Sequence, residues 1–173
     1  LAARCAKIQI SWMGYNNSIG IDNMDYLFTD SHLIKKNEIN LYKEKLLFLP
    51  NIWNAMSTPD LMPEVNNLPF KKNKIFRFGS FNNFKKISNQ VVEVWSDILN
   101  LGDCEIYLKN SGGYNKDIYD NLINKFKKKK VNLKKIIFLK RASENEFLKD
   151  YNKIDVALDT FPYPGVTTSF QSY

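Results

Sequence analysis

Two short stretches carry residue types that could hold an anion: Asn82-Asn83-Phe84-Lys85-Lys86, and the run from Asp155 to Tyr173, DVALDTFPYPGVTTSFQSY. In the second, Val156-Ala157-Leu158 reads as a buried parallel strand and Phe161 to Gly165 as a Pro-rich turn. Thr167-Thr168-Ser169 then opens a helix. A strand, a turn and a helix starting on hydroxyls would bring free N–H groups and a positive helix end to one spot. Gly165 would let the backbone approach a ligand closely. Lys86 supplies a point charge suited to phosphate, and Asn82 and Asn83 supply neutral donors and acceptors. Together these residues describe a diphosphate-ligand site. The plainer alternative, a solvated Lys86 and a Thr167 that only caps its helix, stays open at this point.

The elements that must position these residues follow α/β grammar. Ile8 to Trp12 reads as a strand, Gly14 to Gly20 as a polar loop, Tyr26 to Thr29 as a second strand and Lys45 to Leu49 as a third. Residues 51–74 carry Pro59, Pro63 and Pro69, and regular structure is not expected to run through them. From Ile75 the pattern turns regular. Strands are expected at Ile75–Phe78, Cys104–Leu108, Ile136–Leu139 and Asp155–Leu158. Between them, Ser88 caps a helix running to Leu101 with Val91, Val92, Trp95, Ile98 and Leu99 on one face. A second helix buries Ile118, Tyr119, Leu122, Ile123 and Phe126, and Ser143 with Glu146 makes the capping box of a third, which buries Phe147, Leu148 and Tyr151. This order is that of a doubly wound, Rossmann-like domain. The loops around Asn83–Lys86, Arg141–Ser143 and Thr160–Ser169 leave the carboxyl ends of strands and should converge on one crevice.

Composition narrows the functional classes. The 173 residues, 44% of them hydrophobic, suit one good-sized domain or parts of two. No apolar run reaches the roughly 18 residues of a membrane span, and no signal-peptide pattern is present. The chain does not open on a translation start and is expected to be a piece of a longer protein. The net charge of +7 is compatible with an anionic partner, but Lys127 to Lys130 ends an expected helix and lacks the interleaved aromatics of a nucleic-acid stripe. Nucleic acid is therefore not the expected partner. Cys5 and Cys104 lie far apart, without metal-ligand spacing, which fits a reducing cytoplasm. His32, the single histidine, has no neighbouring ligand or triad partner in sequence. Neither G-x-G-x-x-G, G-K-[ST] nor G-x-S-x-G occurs, which excludes dinucleotide, P-loop and nucleophile-elbow chemistry in their usual forms.

Three blocks, in order and at matching spacing, resemble the catalytic region of the family 41 glycosyltransferases, the O-linked N-acetylglucosamine transferases and their bacterial relatives of the GT-B fold. They are Ile8 to Tyr15 with Gly20, Met24 to Tyr26 and Thr29-Asp30; Phe78 to Ile87; and Asp155 to Thr168. The resemblance spans nearly the whole chain. It implies two Rossmann-like lobes with a UDP-sugar between them: residues 1–50 as the end of the N-terminal lobe, 51–74 as the linker and 75–173 as the first half of the nucleotide-binding lobe. It implies an inverting, metal-independent transfer of a sugar, N-acetylglucosamine first, from UDP to Ser or Thr of a protein or peptide acceptor, with no cofactor. Tetratricopeptide repeats and the catalytic base would lie upstream.

Residue by residue, the resemblance makes Lys86 the lysine that neutralises the donor pyrophosphate and Thr167 and Thr168 the threonines that hold it. It places Ala142 where a backbone group meets the uracil, and Met13 and Gly14 in the loop near the donor sugar. Asn83 stands where relatives often carry Gln. Gln171 stands where the family commonly has Glu or Asp on the ribose hydroxyls, and Phe147 and Val166 stand where the animal enzymes have His. The other readings are an N-glucosyltransferase relative, a catalytically silent nucleotide-sugar-binding domain prompted by Gln171, and a basic nucleic-acid module.

Overall fold

In the computed structural model, which describes residues 3–57, 62–140 and 143–173, the chain divides into two units, Leu1–Ser57 and Thr58–Tyr173. The first is built on a parallel sheet of β1 (Ile10–Ser11), β2 (Tyr26–Thr29) and β3 (Lys45–Phe48) in the order β1-β2-β3. β1 is shorter than the expected Ile8–Trp12. Asp25 takes the Gln9 N–H on its carboxylate at 2.8 Å, so strand pairing starts only at Ile10. Leu27, Met24 and Ile34 form the apolar centre of the unit. A 3₁₀ helix, Lys36–Leu41, precedes β3.

The second unit carries a four-stranded parallel sheet. Its strands are β4 (Phe76–Ser80), β5 (Cys104–Leu108), β6 (Ile136–Phe138) and β7 (Val156–Ala157), in the order β6-β5-β4-β7. β5 alternates strictly: Cys104, Ile106 and Leu108 are buried, Glu105 and Tyr107 less so. That face receives α2 (Asn89–Leu101) and α3 (Lys116–Lys128), whose Val91, Val92, Trp95, Leu99, Leu122 and Phe126 complete one core. Each such large side chain contributes about 1.5–3 kcal/mol by leaving water. Ser88 caps α2 by accepting the Val91 N–H, and Ser143 and Glu146 form the capping box of α4 (Glu144–Lys149).

Besides β1, two elements depart from the sequence reading. A short helix, α1 (Pro69–Asn73), forms inside the proline-bearing segment; Pro69 takes the first helical position, where its missing N–H costs nothing. Asp155 anchors it by accepting the N–H groups of Phe70 and Arg77 on its two oxygens. β7 is not buried: among the described residues it pairs with β4 alone, and Val156 is 41% exposed. The last helix, α5 (Thr167–Phe170), opens on Thr167 as expected, with Val166 at its N-cap. The fold nevertheless creates the crevice that an open sheet provides. The chain steps from β4 to β5 and β6 on one side and returns to the other side of β4 as β7, so the connections after β4 and β7 diverge at a topological switch point.

Candidate functional site

At that switch point lies a cavity of about 450 Å³. Three connections at the carboxyl ends of strands line it: Asn82, Asn83 and Lys86 after β4; Lys109, Asn110 and Ser111 after β5; Val166, Thr167, Thr168 and Gln171 after β7. Phe147 of α4 closes one side. Of the residues singled out in the sequence, Asn83, Lys86, Thr167, Thr168 and Gln171 come together here. Ala142 lies outside the described residues, and Met13 and Gly14 lie in the first unit.

The two lysines of the cavity are held differently. Lys109 is buried, with its ammonium 2.5 Å from Asp150 Oδ2 and 4.7 Å from the centre of the Phe147 ring. Asp150 also binds the exposed Lys153 at 2.6 Å. Lys109 is thus committed to a carboxylate it shares with Lys153, and the buried pair is expensive to break because a lone buried charge would remain. Lys86 has no carboxylate within ion-pair distance among the described residues. Its Nζ donates to the Pro164 carbonyl at 2.9 Å and sits 4.6 Å from the centre of the Tyr163 ring. Neither partner carries a charge, so Lys86 is the cation left to face an anion.

Asp159 is the hub of the connection after β7. Its carboxylate accepts from Asn82 Nδ2 at 3.0 Å, Thr160 N at 2.7 Å, Gly165 N at 2.7 Å and Ser169 Oγ at 2.8 Å. Asn82 passes the network on by accepting the Thr168 hydroxyl at 2.7 Å. Four donors on one carboxylate fold the segment back on itself and tie it to the loop after β4. This changes the role of Gly165. A Cβ there would stand 2.5 Å from Thr168 Oγ1, 2.6 Å from Ser169 Oγ and 2.7 Å from Asn82 Oδ1, so the glycine makes room for the network itself.

The remaining groups are placed as follows. Asn83 spends its side-chain oxygen capping the 3₁₀ turn Phe84–Lys86 through the Lys85 N–H at 3.0 Å, which leaves its NH₂ as a donor. The N–H groups of Thr167 and Thr168 fall in the first turn of α5, where donors have no intrahelical acceptor. Thr167, Thr168 and Gln171 supply the polarity of this wall. Gln171 is half-buried, one turn on from Thr167, and its side chain has no partner among the described residues. Sequence reasoning missed Lys109, Asn110 and Ser111, although they follow a strand it had placed. It also missed Asp150, whose partner Lys109 lies 41 residues away, and Asp159, whose link to Asn82 crosses 77 residues.

In the first unit, Met13 takes a left-handed backbone (φ 59°) and the Gly14 N–H donates to Trp12 O at 2.8 Å. The Trp12 indole donates to Trp53 O at 2.8 Å. Asp30 is buried; burial pushes its carboxyl up, but the N–H groups of Trp53, Leu33 and His32 hold it below the ordinary range. The Trp12 contact ties down the start of the loop that carries Met13 and Gly14. Among the described residues no helix is long and apolar enough to cross a membrane.

Residues 1–67 match the model of the family described as Glycosyl transferase family 41. Over 99% of its length the chain is 29% identical to a Solanum lycopersicum protein described as probable UDP-N-acetylglucosamine–peptide N-acetylglucosaminyltransferase SPINDLY, and 30% identical to the Hordeum vulgare protein of that description. It spans 19% and 18% of those two relatives. Over 57% of its length it is 29% identical to the Arabidopsis thaliana relative described as SEC, of which it spans 11%. A solved O-GlcNAc transferase mutant from Thermobaculum terrenum superposes with a TM-score of 0.87 at 30% identity, over 98% of this chain and 32% of that one. The fold is α/β of the GT-B type.

Proposed function

This chain resembles the catalytic region of the family 41 glycosyltransferases, and on that premise we propose that it is part of an inverting transferase moving N-acetylglucosamine from UDP to Ser or Thr of a protein. The observation that carries this reading is the cavity at the sheet's switch point, where the uncancelled charge of Lys86 shares one wall system with Thr167 and Thr168. As the bond between sugar and UDP breaks, negative charge builds on the departing phosphate oxygen. The Lys86 ammonium, the Asn83 NH₂, the first-turn N–H groups of Thr167 and Thr168 and the Thr167 hydroxyl would stabilise it without a metal ion. Gln171 would bond the ribose hydroxyls, and the Ala142 backbone the uracil. Met13 and Gly14 would belong to the loop near the donor sugar. In this reading residues 1–50 end the first lobe, 51–74 connect, and 75–173 begin the nucleotide-binding lobe. A protein acceptor, upstream tetratricopeptide repeats and a cytoplasmic setting complete it.

Gln171 favours a second reading, a nucleotide-sugar-binding domain without turnover, since an amide lacks the charged acceptor a carboxylate offers to ribose hydroxyls. One assay separates the two. The complete chain, in EDTA, is given UDP-N-acetylglucosamine and Ser/Thr peptides, and UDP release is followed. Turnover that drops about 10²- to 10³-fold in Lys86→Ala supports the transferase. UDP bound without turnover supports the silent domain. Turnover only with UDP-glucose and an Asn peptide would assign the N-glucosyltransferase alternative.

A further inference from the structure

Lys86 lies at the end of a 3₁₀ turn, on a long side chain with free rotation, yet its ammonium is fixed on a distant segment, the Phe161–Gly165 turn. That turn is itself immobilised at several points. Ser88 Oγ donates to Phe161 O at 3.1 Å, Thr160 Oγ1 to Tyr163 O at 2.8 Å, and Gly165 N to Asp159 at 2.7 Å. Pro162 and Pro164 restrict the backbone between those points. The turn therefore presents one carbonyl and one aromatic face in fixed positions, and Lys86 occupies both.

We infer that Tyr163, with the Pro164 carbonyl, is a positioning residue for Lys86: it holds the ammonium at the cavity wall by cation–π contact without neutralising it. This rests on the reading of Lys86 as the group that meets the donor diphosphate. The physical contrast is with Lys109 in the same cavity, where a carboxylate at 2.5 Å consumes the charge. A ring face and a carbonyl attract a cation through a quadrupole and a dipole. They restrict the side chain's rotamers before a ligand arrives and leave the full positive charge for it, so less ordering remains to be done on binding. Tyr163 is 53% exposed, so its side chain is not needed to fill a core. Its hydroxyl plays no part in the contact, which makes phenylalanine the conservative replacement.

The test is calorimetric titration of the complete chain with UDP and with uridine, for the natural protein, Tyr163→Phe, Tyr163→Leu, Lys86→Met and the Lys86→Met/Tyr163→Leu pair. Unliganded melting temperatures serve as the folding control. Tyr163→Leu should weaken UDP about two- to tenfold, with uridine unchanged. Tyr163→Phe should bind UDP like the natural protein, and the double variant no more weakly than Lys86→Met alone. If Lys86→Met weakens UDP but Tyr163→Leu does not, or if Tyr163→Leu weakens uridine as much as UDP, the positioning role is overturned while the site reading stands. If Lys86→Met leaves UDP binding unchanged, the site reading falls and the positioning role with it.

Discussion

At the scale of single residues, the cavity wall depends on groups whose charge is spent and groups whose charge is kept. Asp159 is spent on four donors and Lys109 on Asp150, whereas Lys86 rests on uncharged partners. Tyr151 supports the same wall by donating its hydroxyl to Thr168 O at 2.8 Å. Burial, and then the Asp159 charge, push its hydroxyl well above the ordinary tyrosine range. The folded chain therefore keeps a proton that the unfolded chain releases near pH 10, so this stabilisation is full below about pH 10 and is lost as pH rises further. Between pH 10 and 12 the melting temperature of the natural protein should fall more steeply than that of Tyr151→Phe. The variant should start lower at neutral pH by about 1 kcal/mol for the lost hydrogen bond. Equal slopes would show that Tyr151 ionises as freely folded as unfolded. Lys86, Asn83, Thr167 and Thr168, singled out in the sequence by type and local spacing, line one cavity. The tie from Asp159 to the loop after β4 was not legible, since its partner Asn82 is 77 residues away.

At the scale of elements, regular patterns were readable and irregular ones were not. β5 and α2 follow directly from alternation and from a helical stripe closed by Ser88. α1 was hidden by its proline, which here starts a helix instead of breaking one. β7 was expected to be buried, whereas Val156 is 41% exposed beside β4. α5 begins at Thr167, where the hydroxyl cluster was expected to open a helix. The connection between β7 and α5 is where a small change should matter most. In Gly165→Ala the new methyl would push against Thr168, Ser169 and Asn82, all members of the Asp159 network. UDP affinity should fall about tenfold while the melting temperature drops by an amount corresponding to about 1–2 kcal/mol, the scale of a local overpacking. Unchanged UDP affinity would mean that the network does not position Thr168.

At the scale of the whole chain, two α/β units account for the described residues, and the charge of +7 is spread largely over solvated lysines. The run Lys127–Lys130 closes α3, where cations suit the carbonyl end of a helix, and supplies no stacking surface for bases. The excess charge therefore predicts a salt-sensitive attraction for anions in general, whereas the cavity predicts selectivity for one. Binding of UDP to the complete chain, compared with Lys86→Ala, tests this most directly. Saturating UDP should raise the melting temperature of the natural protein, by linkage, and Lys86→Ala should lose most of that rise while its unliganded melting temperature stays the same. No rise with UDP, or a rise with single-stranded nucleic acid in its place, would contradict a UDP-sugar site built around Lys86.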